Sequence, residues 1–327
     1  MAGRGSRLRP HTLTVPKPLI PIAGKPIVQR LVEDIVSVCK KDVEEIAFII
    51  GEFGQEAELE LNNIAKKLGA KASIYYQTEP LGTAHAILCA KNSLQGNCVV
   101  AFADTLFKAD FTLDSQQEGV VWVSQIEDPS AFGVVKLNKK KIITEFVEKP
   151  EEFISDLAII GIYYFKDGEY LKEELQYLLD NDIKDKGEYQ LTNALENMKN
   201  KGVCFSAGKV EEWLDCGNKK STVFTNGKIL SSTGSSTSPS SKIENSKIIN
   251  PCFIGENTVI KNSVVGPFVS IGANTTIENS QINNSIIQKK SRIINAVLEE
   301  SMIGNSVDFD GKNVKQIVSI GDFCEIL

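Results

Sequence analysis

Apolar and polar positions alternate in blocks along the first part of the chain. Residues 46–50 form an apolar run that ends at Gly51, and residues 55–68 show the apolar spacing of an amphipathic helix. The next blocks predict a strand over 72–77, a helix over 83–94 and a strand over 98–103. This β-α-β-α order predicts an α/β domain with a mostly parallel sheet covered by helices on both faces.

From Gly119 onward the pattern becomes richer in strands before helices return. The predicted strands are 120–124, 132–137, 142–147 and 159–165. The predicted helices are 168–180, 190–200 and 217–230. We therefore assign residues 1–230 to the first domain.

A Ser-rich segment follows, and its composition is unlike that of either neighbour. Residues 231–241 are almost entirely Ser, Thr, Gly and Pro, with no side chain able to build a core. Such a composition is typical of a flexible linker, which we place at 231–245.

The last part of the chain repeats. An Asn-Ser pair followed by β-branched residues recurs at Ser246, Ser263 and Ser280, a period of 17. Within the repeat apolar residues fall six apart, as at Ile254 and Ile260. Three six-residue sides with one side shortened would give this period, so residues 246–327 are predicted to form a parallel β-helix of hexapeptide-like repeats. A β-sandwich of short strands is the alternative, but it gives no reason for a constant period.

Composition narrows the class of protein. The chain has 327 residues, 42% hydrophobic and 24% charged, with a formal net charge of −6. This acidity argues against a nucleic-acid partner, and no apolar run approaches the roughly 18 residues of a membrane span. We expect no signal peptide, because the N-terminus lacks an apolar stretch. The seven scattered cysteines lack a CxxC pair, which indicates reduced thiols and a cytoplasmic location.

The first segment with a chemical signature is Gly-rich and basic. Gly3 and Gly5 precede Arg7, and Lys17 follows between two prolines. A Gly-rich turn lets backbone N–H groups approach phosphate oxygens, while Arg7 supplies a planar fork and Lys17 a mobile charge. A flexible N-terminal tail is the alternative for the glycines alone.

These motifs, with others in the same order, resemble the sugar-1-phosphate nucleotidylyltransferases, the nucleotide-sugar pyrophosphorylases. The resemblance covers nearly the whole chain and is closest to glucose-1-phosphate thymidylyltransferase-like members with a C-terminal left-handed β-helix. The further matching segments are Leu81–Ala86, Asp104, Phe132–Val135, Glu148–Pro150, Gly161–Tyr163, Glu188–Thr192 and Trp213–Gly217. It implies a Rossmann-like catalytic domain of the nucleotide-diphospho-sugar transferase type, followed by the β-helix.

The resemblance also implies the roles of single residues. Asp104 and Asp215 would hold Mg²⁺, an ion that keeps waters and uses few protein ligands. Catalysis would then rest on a set of charged residues: Arg7, Lys17, Asp104, Lys149 and Asp215. The nucleotide would contact Gly3, Gly5, Ser6, Gln77, Gly82 and Thr83. The sugar would contact Gly133, Glu148, Gly161 and Trp213. For Trp213, packing in the core is an equal alternative.

Gln77 bears on the choice of base. Its side chain offers one donor and one acceptor, which suits the imide edge of thymine or uracil. The expected substrates are therefore a sugar 1-phosphate, with glucose 1-phosphate as the default, and dTTP or UTP.

Other functions remain open at this stage. A GTP-dependent mannose-1-phosphate guanylyltransferase and a non-catalytic sugar-nucleotide-binding regulatory relative are the main alternatives. Acyl transfer by the β-helix is disfavoured, because residues 231–327 contain no histidine. His11 and His85 are interpreted as packing residues, and a homo-oligomer is compatible with the β-helix.

Two departures from the family pattern stand out. Ala103 precedes Asp104 where the family usually has Gly. Met1 and Ala2 alone precede Gly3, where the family has a short apolar strand in the middle of its sheet. We therefore expect that this first strand is missing and that five to eight mostly Val or Ile residues belong upstream, the usual length of such a strand being roughly 5–6 residues.

Overall fold

The computed structural model describes residues 5–39, 42–108 and 113–326. These residues form two compact units, one of residues 31–213 and one that combines 5–30 with 214–326. The sequence predicts a division near residue 230, whereas the N-terminal segment and the helix before the Ser-rich stretch belong to the same unit as the β-helix.

Six α-helices and twelve strands precede or flank the repeats in the described residues. The helices are α1 Ile27–Val38, α2 Gln55–Lys67, α3 Thr83–Cys89, α4 Gly168–Asp180, α5 Leu191–Asn200 and α6 Lys219–Thr233. The strands are β1 Pro21–Ile22, β2 Lys25–Pro26, β3 Glu45–Ile50, β4 Lys71–Tyr76, β5 Cys98–Ala101, β6 Thr105–Lys108, β7 Gly119–Gln125, β8 Val134–Leu137, β9 Ile143–Val147, β10 Leu157–Phe165, β11 Phe205–Lys209 and β12 Glu212–Asp215. None of these helices is long and apolar enough to cross a membrane.

The largest sheet of the first unit is built around β10. Its order is β11-β7-β10-β8-β9, with β5 also paired to β10. β10 is antiparallel to β5, β7 and β8, whereas β11 is parallel to β7. β3 and β4 form a parallel sheet of their own. The α/β class is confirmed, but the strands are more mixed in direction than their order predicts. The reason is that β7 to β10 follow one another without the helical crossovers that parallel pairing needs.

The core of this unit lies between the large sheet and its helices. Tyr163, Phe165 and Phe205 on the strands pack with Leu171 and Leu195 on α4 and α5. The predicted helix over 83–94 ends earlier, at Cys89, because the amides of Ala90, Lys91 and Ser93 each bond to the carbonyl three residues back.

The repeats fold as predicted into a parallel β-helix with three faces. The first face contains Ser236–Thr237, Cys252–Ile254, Val269–Ile271, Ser285–Ile287, Met302–Ile303 and Ser319–Ile320. The second contains Lys242–Glu244, Val259–Lys261, Thr276–Glu278, Arg292–Ile294, Asp308–Asp310 and Glu325–Ile326. The third contains Lys247–Ile248, Val264–Val265, Gln281–Ile282, Val297–Leu298 and Lys315–Gln316. Ile260, Val265, Ile271 and Ile277 point inward and are fully buried.

Hydrogen bonds between successive coils explain the Asn-Ser repeat. The Ser263 amide donates to Ser246 Oγ, and the Ser280 amide donates to Ser263 Oγ, each at 3.0 Å across 17 residues. Asn245 donates from Nδ2 to Asn262 Oδ1 at 2.7 Å in the same register. Each Asn-Ser pair therefore forms hydrogen bonds from one coil to the next. The Asn of each pair adopts the left-handed backbone conformation needed where the chain turns between two faces.

The segment predicted as a flexible linker differs in structure. Residues 231–233 end α6, and Ser236–Thr237 and Lys242–Glu244 are strands of the first coil. Hydroxyl groups bond this coil to the next one. Ser235 Oγ accepts from the Cys252 amide, and Ser240 Oγ accepts from the Asn257 amide. Ser-rich composition therefore marks the first coil of the β-helix.

Candidate functional site

The Gly-rich N-terminal segment forms a compact turn around Gly5. This residue has left-handed backbone angles (φ 58°) and precedes a 3-10 helix over Ser6–Leu8. The Thr12 hydroxyl donates to the Gly5 carbonyl oxygen at 2.8 Å. A Cβ on Gly5 would lie 3.0 Å from Thr12 Cγ2, so both backbone angle and space favour glycine. The side chain of Arg7 is exposed beside this turn. The predicted ligand residue Gly3 lies outside the described residues.

Lys17 lies next to the same turn. It begins a second 3-10 helix, Lys17–Leu19, and is 9% exposed. A Cβ on Gly5 would lie 3.2 Å from Lys17 Cβ, so the two predicted phosphate-binding positions are neighbours. The turn therefore holds a buried lysine, an exposed arginine and a glycine within one short segment.

The Gln77 amide is fixed by two hydrogen bonds. Its Nε2 donates to the Gly82 carbonyl oxygen at 3.1 Å and lies 3.0 Å from His85 Nδ1. A carbonyl oxygen only accepts, so the nitrogen of the amide must face Gly82. The other Nε2 hydrogen then points to His85 Nδ1. Gln77 therefore turns its acceptor, Oε1, away from both partners.

The turn after Gln77 is held against the segment that precedes α5. Gly82 has φ 113°, and a Cβ there would lie 2.5 Å from the Tyr189 carbonyl oxygen. The Thr83 hydroxyl donates to Gln190 Oε1 at 3.1 Å and accepts from the Leu191 amide at 2.9 Å. The Thr83 side chain therefore orders the turn itself, and its predicted contact with a nucleotide stays a prediction.

Glu148 and Lys149 come directly after β9. Glu148 Oε1 pairs with Lys149 Nζ at 3.3 Å, and Oε2 accepts from the Thr192 hydroxyl at 3.1 Å. The Glu148 side chain is 12% exposed and that of Lys149 is 47% exposed. A Cβ on Gly133 would lie 3.1 Å from Glu148 Oε2, so glycine keeps this carboxylate accessible. The fold thus unites three predicted site residues and adds Thr192.

Gly161 lies in β10, two residues before the buried Tyr163. It interrupts β10 with φ 82°, and its carbonyl oxygen accepts from the Phe102 amide at 2.8 Å. Burial, and then the charges of Glu148 and Asp104, raise the pKa of Tyr163. The charges of both carboxylates therefore act on the same buried phenol.

Trp213 lies on β12 and contacts the residue after Asp104 and the residue before Gly133. Its indole N–H donates to Thr105 Oγ1 at 2.9 Å, directly after Asp104 in the chain. Its ring packs edge-on against Phe132, with centroids 4.9 Å apart. Trp213 is half-buried, so it combines a packing role with a surface beside Gly133.

Asp215 is the last residue of β12. Its Oδ1 accepts from the Gly217 amide at 2.9 Å, and a Cβ on Gly217 would lie 2.9 and 3.0 Å from the two carboxylate oxygens. Glycine therefore leaves the carboxylate open. Among the described residues no three His, Cys, Asp or Glu side chains form a ready metal cage. Carboxylate oxygens such as those of Asp215 are hard ligands of the kind that suits Mg²⁺.

The interpretation of the histidines as packing residues holds for His11, which is 1% exposed, but the hydrogen-bond partners of both were not predicted. His85 contacts the predicted base-reading residue Gln77, and His11 Nε2 lies 3.1 Å from Ser319 Oγ. Gln77 follows the end of β4, and His85 lies in the first turn of α3, eight residues later. This spacing is the sequence feature that could have indicated their contact. Nothing in the sequence signals the contact between His11 and Ser319.

Comparisons with known proteins show which family the chain resembles. A family model described as nucleotidyl transferase matches residues 1–232. The bifunctional protein GlmU of Methanococcus vannielii is 31% identical over 336 residues, which cover 94% of this chain and 77% of that protein. A glucose-1-phosphate thymidylyltransferase of Streptomyces antibioticus is 27% identical over 93% of this chain and 90% of its own length.

A solved structure supports the fold. A UDP-glucose pyrophosphorylase in complex with UDP-glucose matches with a TM-score of 0.58 at 23% identity, over 71% of this chain and 96% of that one. The family model covers well over half of the chain, and the motifs at Gly5, Gln77, Glu148 and Asp215 fall within it. The chain therefore belongs to the sugar-1-phosphate nucleotidyltransferase family.

Proposed function

We propose that this protein joins a sugar 1-phosphate to dTTP or UTP, giving a nucleotide-diphospho-sugar and pyrophosphate. Glucose 1-phosphate is the first sugar substrate to test. Membership of the family supports the reaction class, and the orientation of the Gln77 amide is the observation that carries the choice of base.

The amide of Gln77 favours a base with one central donor. Both Nε2 hydrogens are engaged by Gly82 and His85, so Gln77 offers a nucleobase only the acceptor Oε1. Thymine and uracil present one N–H between two carbonyls, and one acceptor matches it. Guanine presents two neighbouring donors, and the second would find no acceptor on Gln77. The sequence credits Gln77 with a donor as well, but that donor is already used.

The basic turn would bind the phosphates. The backbone of Gly5 and Ser6 would approach the triphosphate, and Arg7 would take up negative charge on the leaving pyrophosphate. Lys17 would hold the reacting phosphates from its confined position beside Gly5. The charges of Arg7 and Lys17 would thus favour a transition state in which negative charge moves onto the leaving group.

The cluster after β9 would bind the sugar phosphate. Lys149 would align the attacking phosphate, and Glu148 would accept hydrogen bonds from sugar hydroxyls. Gly133 and Gly161 would let backbone groups approach the ring, with Trp213 at its side. The ion pair of Glu148 and Lys149 supports this division, since it sets an acceptor and a cation side by side.

Asp104 and Asp215 would hold Mg²⁺. When bound, the ion would neutralise charge on the phosphate oxygens. The two residues fit this role because each is a half-buried carboxylate at a strand end.

The reaction needs no covalent enzyme intermediate. A phosphate oxygen of the sugar 1-phosphate attacks the α-phosphorus of the nucleoside triphosphate and forms the new P–O bond. The bond between the α-phosphorus and the bridging oxygen breaks, and pyrophosphate leaves with its electron pair. The nucleophile is already an anion, so the protein's task is to position two anions and offset their repulsion.

A substrate panel tests this proposal. Purified protein is incubated with Mg²⁺, each of dTTP, UTP, GTP and ATP, and several sugar 1-phosphates, and pyrophosphate release is followed. We expect the highest kcat/KM with dTTP or UTP. A comparable or higher value with GTP would instead support a guanylyltransferase. Binding of nucleotide-sugar without turnover would support a regulatory relative.

A further inference from the structure

The segment that carries Arg7 and Lys17 packs on the last coil of the β-helix. Thr14 Oγ1 donates to Asp322 Oδ2 at 2.6 Å. His11 is 1% exposed, and its Nε2 lies 3.1 Å from Ser319 Oγ. A Cβ on Gly321 would lie 2.8 Å from Pro10 Cβ, so the coil and the segment are in close contact there. Three successive contacts thus join one short stretch of chain to one turn of the coil.

The coil presents Asp322 from a fixed position. Asp322 Oδ1 accepts from the Asn305 amide at 2.7 Å, and Oδ2 accepts from Asn305 Nδ2 at 2.9 Å. A Cβ on Gly304 would lie 2.3 Å from Asp322 Oδ1, so glycine in the preceding coil leaves room for this carboxylate. Thr14 therefore bonds to a carboxylate that two coils hold in place.

Short hydrogen-bonded turns connect this contact to the Gly5 turn. The His11 amide donates to the Leu8 carbonyl oxygen at 3.1 Å, and the Leu8 amide donates to that of Gly5 at 2.9 Å. The Thr12 hydroxyl closes the same turn on the Gly5 carbonyl oxygen. A displacement at residues 10–14 would therefore move Gly5 and the exposed Arg7 beside it.

We propose that Asp322 and Thr14 are positioning residues for nucleotidyl transfer, through which the last coil of the β-helix holds the phosphate-binding turn in its active conformation. This inference rests on the proposed function. It gives the β-helix a part in catalysis without any reacting group of its own.

The test removes one hydrogen bond and leaves the fold intact. Thr14 is exposed, so Thr14→Val deletes its hydroxyl at nearly constant shape, and Thr14→Ser keeps the hydroxyl. We expect Thr14→Val to lower kcat/KM for the nucleoside triphosphate about tenfold, since a bond to a carboxylate is among the stronger hydrogen bonds. The KM for the sugar 1-phosphate should stay within about twofold, and the melting temperature should fall by no more than a few degrees. Thr14→Ser should restore the wild-type value.

A second variant and a control identify the cause. Asp322→Ala removes the acceptor of the Thr14 hydroxyl together with the two bonds to Asn305, so it should show at least the same loss, and adding Thr14→Val to it should cost nothing more. Arg292→Gln breaks an exposed ion pair with Asp308 elsewhere in the β-helix and should leave kinetics unchanged. Wild-type kinetics in Thr14→Val, or additive losses in the double variant, would overturn the proposal.

Hydrogen exchange separates this inference from the proposed function. If the wild-type protein releases no pyrophosphate with any substrate pair, the proposed function fails. The exchange rates of the Leu8, Arg9 and His11 amides then decide about the anchor. Faster exchange at these amides in Thr14→Val, with unchanged rates in Arg292→Gln, would support it. Unchanged rates in both variants would refute it.

Discussion

The most informative substitution in the base-binding region is Gln77→Glu. It keeps the length and shape of the side chain and replaces Nε2 by an oxygen. That oxygen would face the Gly82 carbonyl oxygen at the 3.1 Å now occupied by a hydrogen bond. The carboxylate would also lose the hydrogen that Nε2 gives to His85 at 3.0 Å.

The expected cost follows from these two contacts. One lost hydrogen bond is worth about 1 kcal/mol, and an acceptor facing another acceptor costs about 1–2 kcal/mol more. His85 can offset part of this by moving its proton to Nδ1. The carboxylate can avoid this cost only by leaving its present position, so that Oε1 no longer lies where the thymine N–H would meet it. A displacement of this kind, driven by about 2–3 kcal/mol, corresponds to a loss of about 30- to 150-fold in kcat/KM for dTTP.

Pyrophosphate release at saturating sugar 1-phosphate measures this loss, with GTP run in parallel. Gln116→Glu is the matched control, because Gln116 is exposed and lies outside the predicted site. The loss should be much larger for dTTP than for GTP, since a displaced carboxylate can present both oxygens to the two neighbouring donors of guanine. A Gln77→Glu enzyme within threefold of wild type for dTTP, or an equal loss for both triphosphates, would refute base reading by Gln77.

Three further predictions concern the metal, the turn and pH. Asp104→Asn and Asp215→Asn should each remove most turnover at unchanged melting temperature, and near-normal activity at low millimolar Mg²⁺ would contradict the metal assignment. Gly82→Ala should reduce the free energy of unfolding, measured in urea, by about 3 kcal/mol, because the Cβ of the alanine would lie 2.5 Å from the Tyr189 carbonyl oxygen. An unchanged midpoint of urea unfolding would show that the turn relaxes around the new side chain. Burial lowers the pKa of His11 from 6.5 to about 4, the charge of Asp322 opposing and that of Lys219 adding to this effect. Between these two pH values the unfolded chain binds a proton at His11 and the folded protein does not. The free energy of unfolding should therefore have its highest value above pH 6.5 and fall by about 3 kcal/mol toward pH 4. His11→Gln should flatten this part of the pH curve, and an identical slope in the variant would rule out His11 as its source.

Periodicity predicted the β-helix because its coils repeat one local interaction. The buried positions Ile260, Ile271 and Ile277 follow from apolar spacing alone. The same reasoning failed for the Ser-rich segment, since it counts apolar side chains as the only source of order. Ser235 and Ser240 instead accept backbone hydrogen bonds from the next coil.

The resemblance to family motifs singled out Gln77, Glu148 and Lys149 as site residues. The structure gives each of them a defined partner, and their roles stay predictions. Contacts between distant segments were not predictable, because sequence spacing holds no record of them. The contact between His11 and Ser319 joins residues 308 positions apart. The partner of Glu148, Thr192, likewise belongs to a helix far along the chain.

The most direct measurement is the identity of the product. Purified protein, dTTP, glucose 1-phosphate and Mg²⁺ are incubated with inorganic pyrophosphatase, and the mixture is analysed by mass spectrometry. The account predicts a dTDP-linked hexose, with inorganic phosphate formed in twice its amount from the hydrolysed pyrophosphate, and the loss of both in Asp104→Asn. Folded protein that forms no nucleotide-linked sugar from dTTP or UTP with any sugar 1-phosphate would contradict it.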